Sequence, residues 1–354
     1  MCVRRHIVGA AAVLALALSP VRASFAATGN PTVYLVTTLT LRSIDARCFF
    51  APTGGNGWPF SPRTSTHPIR GGFDDPRNPD QAHFGVDVAS AVDQQAVYAV
   101  RSGAIGSVQR TGGFEDHFWL ASEFGYWHAE FAAEGSVAAG QRLGTILPRV
   151  NHVHFAEYDA ACGYVDPRRP TGPLHDPANT ERPVIGPLSA FVANAAAYQP
   201  FLFRRLPRQV IDGSTKLDLA HLHGVVDFRA SVTDTPRHAT RRWPQQPLMA
   251  AAIQSYLAKP TDASRRFGSY ITALDGSRLL TGESAVYSVF APGTLRHILC
   301  FGGGGKCFTR LIIHVAGRGF DTRRMINGPY LWCVRAITIN GMPTRSCTPI
   351  VINN

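Results

Sequence analysis

Lysine is nearly absent from this chain: it occurs only at positions 216, 259 and 306, so the formal net charge of +11 over 354 residues is carried almost wholly by arginine. Such a surface is drawn to anionic polymers. No basic run is interleaved with aromatics of the kind that stack on bases, so nucleic acid is not an expected partner. An anionic polymer of a cell envelope fits the charge better. No C-x-x-C pair occurs among the seven cysteines, which argues against a structural cysteine–metal site. Segments with a helical period are few, and no internal repeat is visible. The apolar N-terminal stretch from Ile7 to Leu18 is too short to span a bilayer.

That stretch fits another purpose. Arg4 and Arg5 precede it and small residues surround Ala23 and Ala26, the pattern of a secretory signal cleaved after Ala26 or, alternatively, after Ala23. Residues 1–26 are set apart on this reading, Cys2 leaves with them, and no membrane-spanning segment follows. The remaining cysteines, Cys48, Cys162, Cys300, Cys307, Cys333 and Cys347, are even in number. A periplasmic or extracellular setting makes disulfides their expected state. Cys300 with Cys307 is the most local pairing. Cys333 and Cys347 lie opposite each other if Ile339-Asn340-Gly341 forms a three-residue hairpin loop with Gly341 left-handed. Cys48 and Cys162 then remain for each other.

Glycine, proline and short β-branched or aromatic runs dominate the exported part, and a mainly β protein follows. Val97 to Val100, Ala104 to Val108 and Val153 to Tyr158 read as strands, with a turn at Gly140 to Gly144. Pro167, Pro170, Pro173, Pro177 and Pro183 crowd one irregular connection, which places a boundary near residue 185. Residues 27–185 form one domain and residues 186–354 a second. In the second, Val225 to Thr233 and several segments from Leu311 to Asn353 alternate as strands, the spacing of a small β-sandwich. Ala250 to Tyr256 is open between a short helix and a strand.

Three segments carry candidate chemistry. Gln81-Ala-His-Phe-Gly-Val-Asp-Val-Ala89 places His83 four residues before Asp87. On an extended strand these two would start about 13 Å apart, too far for ligand bonds of about 2 Å to one ion, so a bend is required, and Gly85 can supply it. Val150-Asn-His-Val-His-Phe-Ala-Glu-Tyr158 puts His152 and His154 on one face of a strand. Phe124-Gly-Tyr-Trp-His-Ala129 offers His128.

Taken together, the His-x-x-x-Asp pair, Tyr126-x-His128 and the terminal His-x-His resemble the lysostaphin-like, or LytM-type, zinc endopeptidases. The resemblance runs from about Trp58 to Tyr158. It includes Gly71-Gly-Phe-Asp-Asp-Pro-Arg77, like the family's approach to the first motif, and Gly135 to Gly144, like its turn before the last. It implies an antiparallel β-sheet peptidase domain with one zinc on His83, Asp87 and His154, with His128 and His152 catalytic, and peptide bonds of peptidoglycan as substrate. Two histidines and a carboxylate leave a fourth tetrahedral position open and a net charge of about +1, which favours a developing oxyanion. A neutral imidazole beside it can take a proton and a charged one can donate, leaving open which of His128 and His152 is the base. The chain departs from the family before His152, where only Thr145 to Asn151 follow Gly144, so that the loop expected to wall the groove is shortened or altered. Phe320-Asp-Thr322, Gly328-Pro-Tyr330 and Val334-Arg-Ala336 resemble the closing strands of immunoglobulin-like modules on bacterial surface proteins.

Other polar residues have plainer expectations. His221 and His223 repeat the His-x-His spacing but lack a companion His-x-x-x-Asp. Asp74 and Asp75 read as a solvated loop rather than ligands. Glu157 is open between a supporting partner of the site and an edge carboxylate, and Tyr126 and Trp127 read as packing beside the groove. The leading function is peptide hydrolysis; its rival is a non-hydrolysing wall-binding or regulatory module of the same fold.

Overall fold

A computed structural model describes residues 45–78, 81–193, 208–209, 214–235, 246–296, 309–317 and 319–354. The signal at residues 1–26 and the Cys300–Cys307 pair fall outside the described residues. Strands dominate, and the described α-helices are Ala46–Phe49 and Glu283–Val289, with a 3-10 turn at Thr322–Arg324. Among the described residues no helix is long and apolar enough to cross a membrane.

The first half is built on strands β1 (Ile69–Gly71), β2 (Val86–Ala89), β3 (Ala96–Tyr98), β4 (Gly103–Gln109), β5 (His117–Leu120) and β6 (Phe124–Trp127), followed by β7 (Ala129–Phe131), β8 (Ser136–Val137), β9 (Arg142–Ile146), β10 (His152–Asp159) and β11 (Gly163–Val165). They pair antiparallel in the order β1-β2-β10-β6-β5-β4-β8, with β11 also on β10, while β3-β9-β7 form a second, three-stranded sheet. The His-x-His strand is thus central. Its first six residues are buried on both faces, as the run Val153-His-Phe-Ala allows only when a sheet face and a core both claim it. Phe60, Val86, Val88, Phe118, Tyr126, Val153 and Phe155 fill the core between the sheets. The short loop before His152 is a tight turn, with Val150 N donating to Leu147 O at 3.1 Å and Arg149 at φ 68°.

The proline-rich connection is irregular, yet it is packed. Arg169 is 1% exposed and donates to both carboxylate oxygens of Glu157 (2.6 and 2.8 Å) and to the carbonyl of Ala51. Glu157 is therefore neither an edge carboxylate nor a partner of the site: it projects from the opposite face of β10 to His154, into a buried ion pair. The Cys48–Cys162 disulfide ties the helix Ala46–Phe49 to the same region.

The second half contains β12 (Val184–Ile185), β13 (Ser189–Val192), β14 (Lys216–Leu217), β15 (Val225–Thr233), β16 (Ala252–Lys259), β17 (Asp262–Asp275), β18 (Ile312–His314), β19 (Phe320–Asp321), β20 (Gly328–Ile337) and β21 (Pro343–Ile352). One sheet gathers β12, β13, β14, β18 and β19 around β15; another runs β17-β16-β20-β21. Trp332, fully buried, stacks on Phe228 at 4.1 Å between them. The ambiguous segment at Ala250 is strand: β16 is buried along nearly its whole length, so neither a period of two nor one of 3.6 marks it. Cys333 and Cys347 are register partners and form a disulfide, and Gly341, at φ 78°, closes the expected three-residue loop. Closing sequence separations of 114 and 14 residues, the two disulfides restrict the unfolded chain by about 5 and about 3 kcal/mol respectively.

Buried carboxyls line the seam where Leu248 enters the first core. Asp74 and Asp75 are 1% and 0% exposed, so the solvated loop expected there is overturned; Asp74 accepts from Leu280 N and Asp75 from Gly72 N, bonds that replace water. Burial pushes the Asp234 carboxyl up to about 6 against the pull of Arg168. A carboxyl raised in the folded state contributes stability below its unfolded value, near 3.9, that is lost as pH rises through its folded value. Asp234→Asn abolishes this titration. Relative to wild type, the variant should gain about 2–3 kcal/mol on going from about pH 4 to about pH 8 in urea unfolding. An offset independent of pH would refute the assignment.

Candidate metal centre

His83, Asp87 and His154 converge from two adjacent strands. The β2–β10 register opposes Asp87 to His154 and Ala89 to His152, and directly opposed residues of an antiparallel pair project on one face. His83 lies just before β2, where its backbone N donates to Asp75 O and its carbonyl accepts from Asp74 N. Gly85 lies in the expected bend, at Phe84 and Gly85, and has a steric role as well: a Cβ there would meet the Phe155 carbonyl oxygen at 2.4 Å and His154 Nε2 at 3.0 Å. Only glycine lets the segment after His83 lie so close to β10.

The three candidate ligand atoms form a compact triangle. His83 Nε2 is 2.7 Å from His154 Nδ1 and 3.1 Å from Asp87 Oδ1, and the last two are 3.2 Å apart. All three residues are buried. His83 Nδ1 stands 2.7 Å from the Gly72 carbonyl, which can only accept, so the proton sits on Nδ1 and Nε2 presents its lone pair inward. A proton on His154 Nδ1 would bridge the triangle, but His154 Nε2, buried and without a hydrogen-bond partner, would then be a stranded acceptor. A cation in place of that proton lets all three inward atoms act as lone-pair donors at once, while His154 Nε2 has no hydrogen-bond partner in either state. Donor atoms about 2 Å from a tetrahedral ion lie about 3.3 Å from one another, close to the spacing seen, and two imidazoles with a carboxylate are a donor set suited to zinc. These residues could hold a metal ion.

Charge is arranged to keep the donors in ligating form. Burial opposes ionisation of Asp87, but His83, Arg77 and His152 outweigh it and hold its carboxyl well below the usual range. Arg77 takes the outer oxygen, Oδ2, at 2.6 Å and leaves Oδ1 to the histidines. Gly71 makes room for this pair, since a Cβ there would lie 2.5 Å from both Arg77 Nη2 and Asp87 Oδ2. Burial, aided by Arg77, draws His83 down to about 3. His83 is thus neutral near pH 7.

His128 and His152 stand beside the triangle. His152 Nε2 is 3.7 Å from Asp87 Oδ1, and the His128 ring lies 4.8 Å from that of His152 and 6.2 Å from that of His154. Burial lowers both, His128 to about 4 and His152 well below its ordinary value. His128 occupies the break between β6 and β7 at φ 66°, a left-handed conformation uncommon for a residue with a side chain. Its backbone N donates to Asp116 O, its Nδ1 meets the Phe114 carbonyl, and its ring stacks on Phe114 at 3.8 Å. The Asp116 carboxylate in turn accepts from Thr111 and Gly112 and knots this loop; despite burial, those bonds hold it below the usual carboxylate range.

All five expected residues are therefore brought together. Tyr126 is buried in the core with its hydroxyl accepting from Val100 N, and Trp127 packs edge-on against His154 at 5.0 Å. His221 and His223 are exposed and stand outside the group of described residues that could hold a metal ion. Arg70, Asn151, Phe114 and Asp116 were not expected. Arg70 comes from a separate strand, β1, with no local motif linking it to the histidines, whereas Asn151 directly precedes His152 and its role was not read from that adjacency.

No protein-family model matches the chain, and no curated protein matches it. Among solved structures, a crystal structure of a zinc-containing peptidase from Vibrio cholerae is similar at 21% identity over 30% of this chain and 36% of that chain, with a TM-score of 0.24. A likeness this slight establishes neither fold nor function.

Proposed function

We propose that the chain is an exported, zinc-dependent endopeptidase of the lysostaphin-like kind, hydrolysing peptide bonds in the cross-links or stem peptides of peptidoglycan. The observation that carries this reading is the buried triangle of His83 Nε2, Asp87 Oδ1 and His154 Nδ1, with sides of 2.7–3.2 Å and two further neutral imidazoles at its open side. Both described disulfides support an oxidising, exported setting. Trp332 and Phe228, packed between two antiparallel sheets, support an immunoglobulin-like sandwich for residues 186–354. The arginine-rich charge supports contact with an anionic envelope polymer.

His83, Asp87 and His154 would hold one zinc, which supplies Lewis acidity toward a peptide carbonyl and toward water. Asp87 supplies the negative charge that tempers it, oriented by Arg77. His128 and His152, not needed as ligands, would move a proton and stabilise the oxygen on which charge develops.

Metal analysis of the purified exported chain should find about one zinc, lost in His83→Ala and His154→Ala and kept in His223→Ala. Incubated with purified peptidoglycan, wild type should release new amino termini. Zinc retained by His154→Ala would remove the site. Binding of peptidoglycan without release would favour the non-hydrolysing module.

A further inference from the structure

We propose that Arg70 fixes the proton of His152 on Nε2, making His152 the hydrogen-bond donor and His128 the proton acceptor in the reaction. This rests on the peptidase reading above. Arg70 lies in β1, where the pairing with β2 shifts register between Ile69 and Gly71, and its Nη1 is 2.9 Å from His152 Nδ1. A guanidinium carries only donors. His152 Nδ1 must therefore offer its lone pair, because a hydrogen there would confront an arginine hydrogen at that distance. Asn151 Oδ1, which accepts from the same Arg70 nitrogen at 2.5 Å, lies farther from His152 Nδ1, at 3.2 Å, and a hydrogen on Nδ1 turned toward it would still face the Arg70 nitrogen at 2.9 Å. Arg70 thus sits between the two acceptors and binds both. His152 Nε2 bears the hydrogen and faces the triangle, 3.7 Å from Asp87 Oδ1.

His128 is fixed in the opposite sense. Its Nδ1 contacts the Phe114 carbonyl, which can only accept, so Nδ1 holds the hydrogen and Nε2 is the basic atom. The two rings, 4.8 Å apart, therefore present one donor and one acceptor. In hydrolysis His128 Nε2 takes a proton from water as the water oxygen bonds to the peptide carbonyl carbon. The same proton passes to the amine nitrogen as the C–N bond breaks, while His152 Nε2–H donates to the carbonyl oxygen carrying the negative charge. No proton is gained or lost overall. Arg70 touches none of the reacting atoms; it is a positioning residue.

Imidazole 15N shifts of the zinc-loaded, full-length exported chain, labelled at histidine, read the tautomers directly. Wild type should show His152 as Nε2–H and His128 as Nδ1–H. Arg70→Met should lose the single His152 tautomer and lower kcat about 10–100-fold, with KM and zinc content little changed, and Arg70→Lys, which keeps a donor, should recover much of the loss. A wild-type His152 protonated on Nδ1, or an Arg70→Met enzyme within twofold of wild-type kcat, overturns the proposal. Should Arg70→Met fail to fold, the wild-type spectrum and Arg70→Lys decide. A wild type without zinc or hydrolysis sinks the peptidase reading instead, a result separate from the tautomer pattern.

Discussion

His128→Ala is expected to keep its zinc and lose about 10²–10⁴ of kcat toward a peptidoglycan peptide. Two features separate it from the ligands. Its Nδ1 is committed to the Phe114 carbonyl, and its ring centre is 6.2 Å from that of His154, against 4.6 Å between the rings of His83 and His154. The triangle of donors is complete without it. Removing the ring therefore deletes a proton acceptor and leaves the metal's ligands in place. Metal analysis and steady-state kinetics on one preparation make the test: loss of zinc would make His128 a ligand, and an unchanged kcat would remove it from the reaction.

Arg169→Met is expected to destabilise the protein by about 3–5 kcal/mol in denaturant unfolding at neutral pH. Arg169 and Glu157 are 1% and 3% exposed, and burial already raises the Glu157 carboxyl against the pull of Arg169. Without the guanidinium, Glu157 must either bury an uncompensated charge or take up a proton, and the Ala51 carbonyl keeps only Thr171 Oγ1 as a donor. Glu157→Leu combined with Arg169→Met should be less damaging than Arg169→Met alone, because the stranded carboxylate is gone. A single variant within about 1 kcal/mol of wild type would show that the pair is replaceable by water.

Much of the candidate site was legible because its chemistry is spaced along short segments. His152 and His154 share a face through the twofold period of a strand, and His83 and Asp87 demand a local reversal whatever the rest of the fold. The hairpin that brings Cys333 opposite Cys347 was likewise readable from three loop residues. Asp74 and Asp75 misled for the opposite reason. Adjacent carboxylates look solvated, but Asp74 finds its donor in Leu280 N, 206 residues away, and Asp75 in Gly72 N. Glu157 was ambiguous because its partner lies in the proline-rich connection, a segment with no period to announce that it packs.

The sequence by itself determined a mainly β chain and the Cys333–Cys347 pairing through local period and turn chemistry, and singled out His83, Asp87, His152 and His154 by spacing, whereas His128 came only with the resemblance to the lysostaphin-like peptidases and Cys48–Cys162 by elimination. Tertiary structure decided what those residues can do. Register across β2 and β10 set Asp87 against His154. Close approach at Gly85 let His83 join them, and contacts from Arg70 and Phe114 gave the two remaining histidines opposite tautomers. Proton position depends on which donor or acceptor stands about 3 Å away, and that is a property of the folded neighbourhood, not of any spacing along the chain.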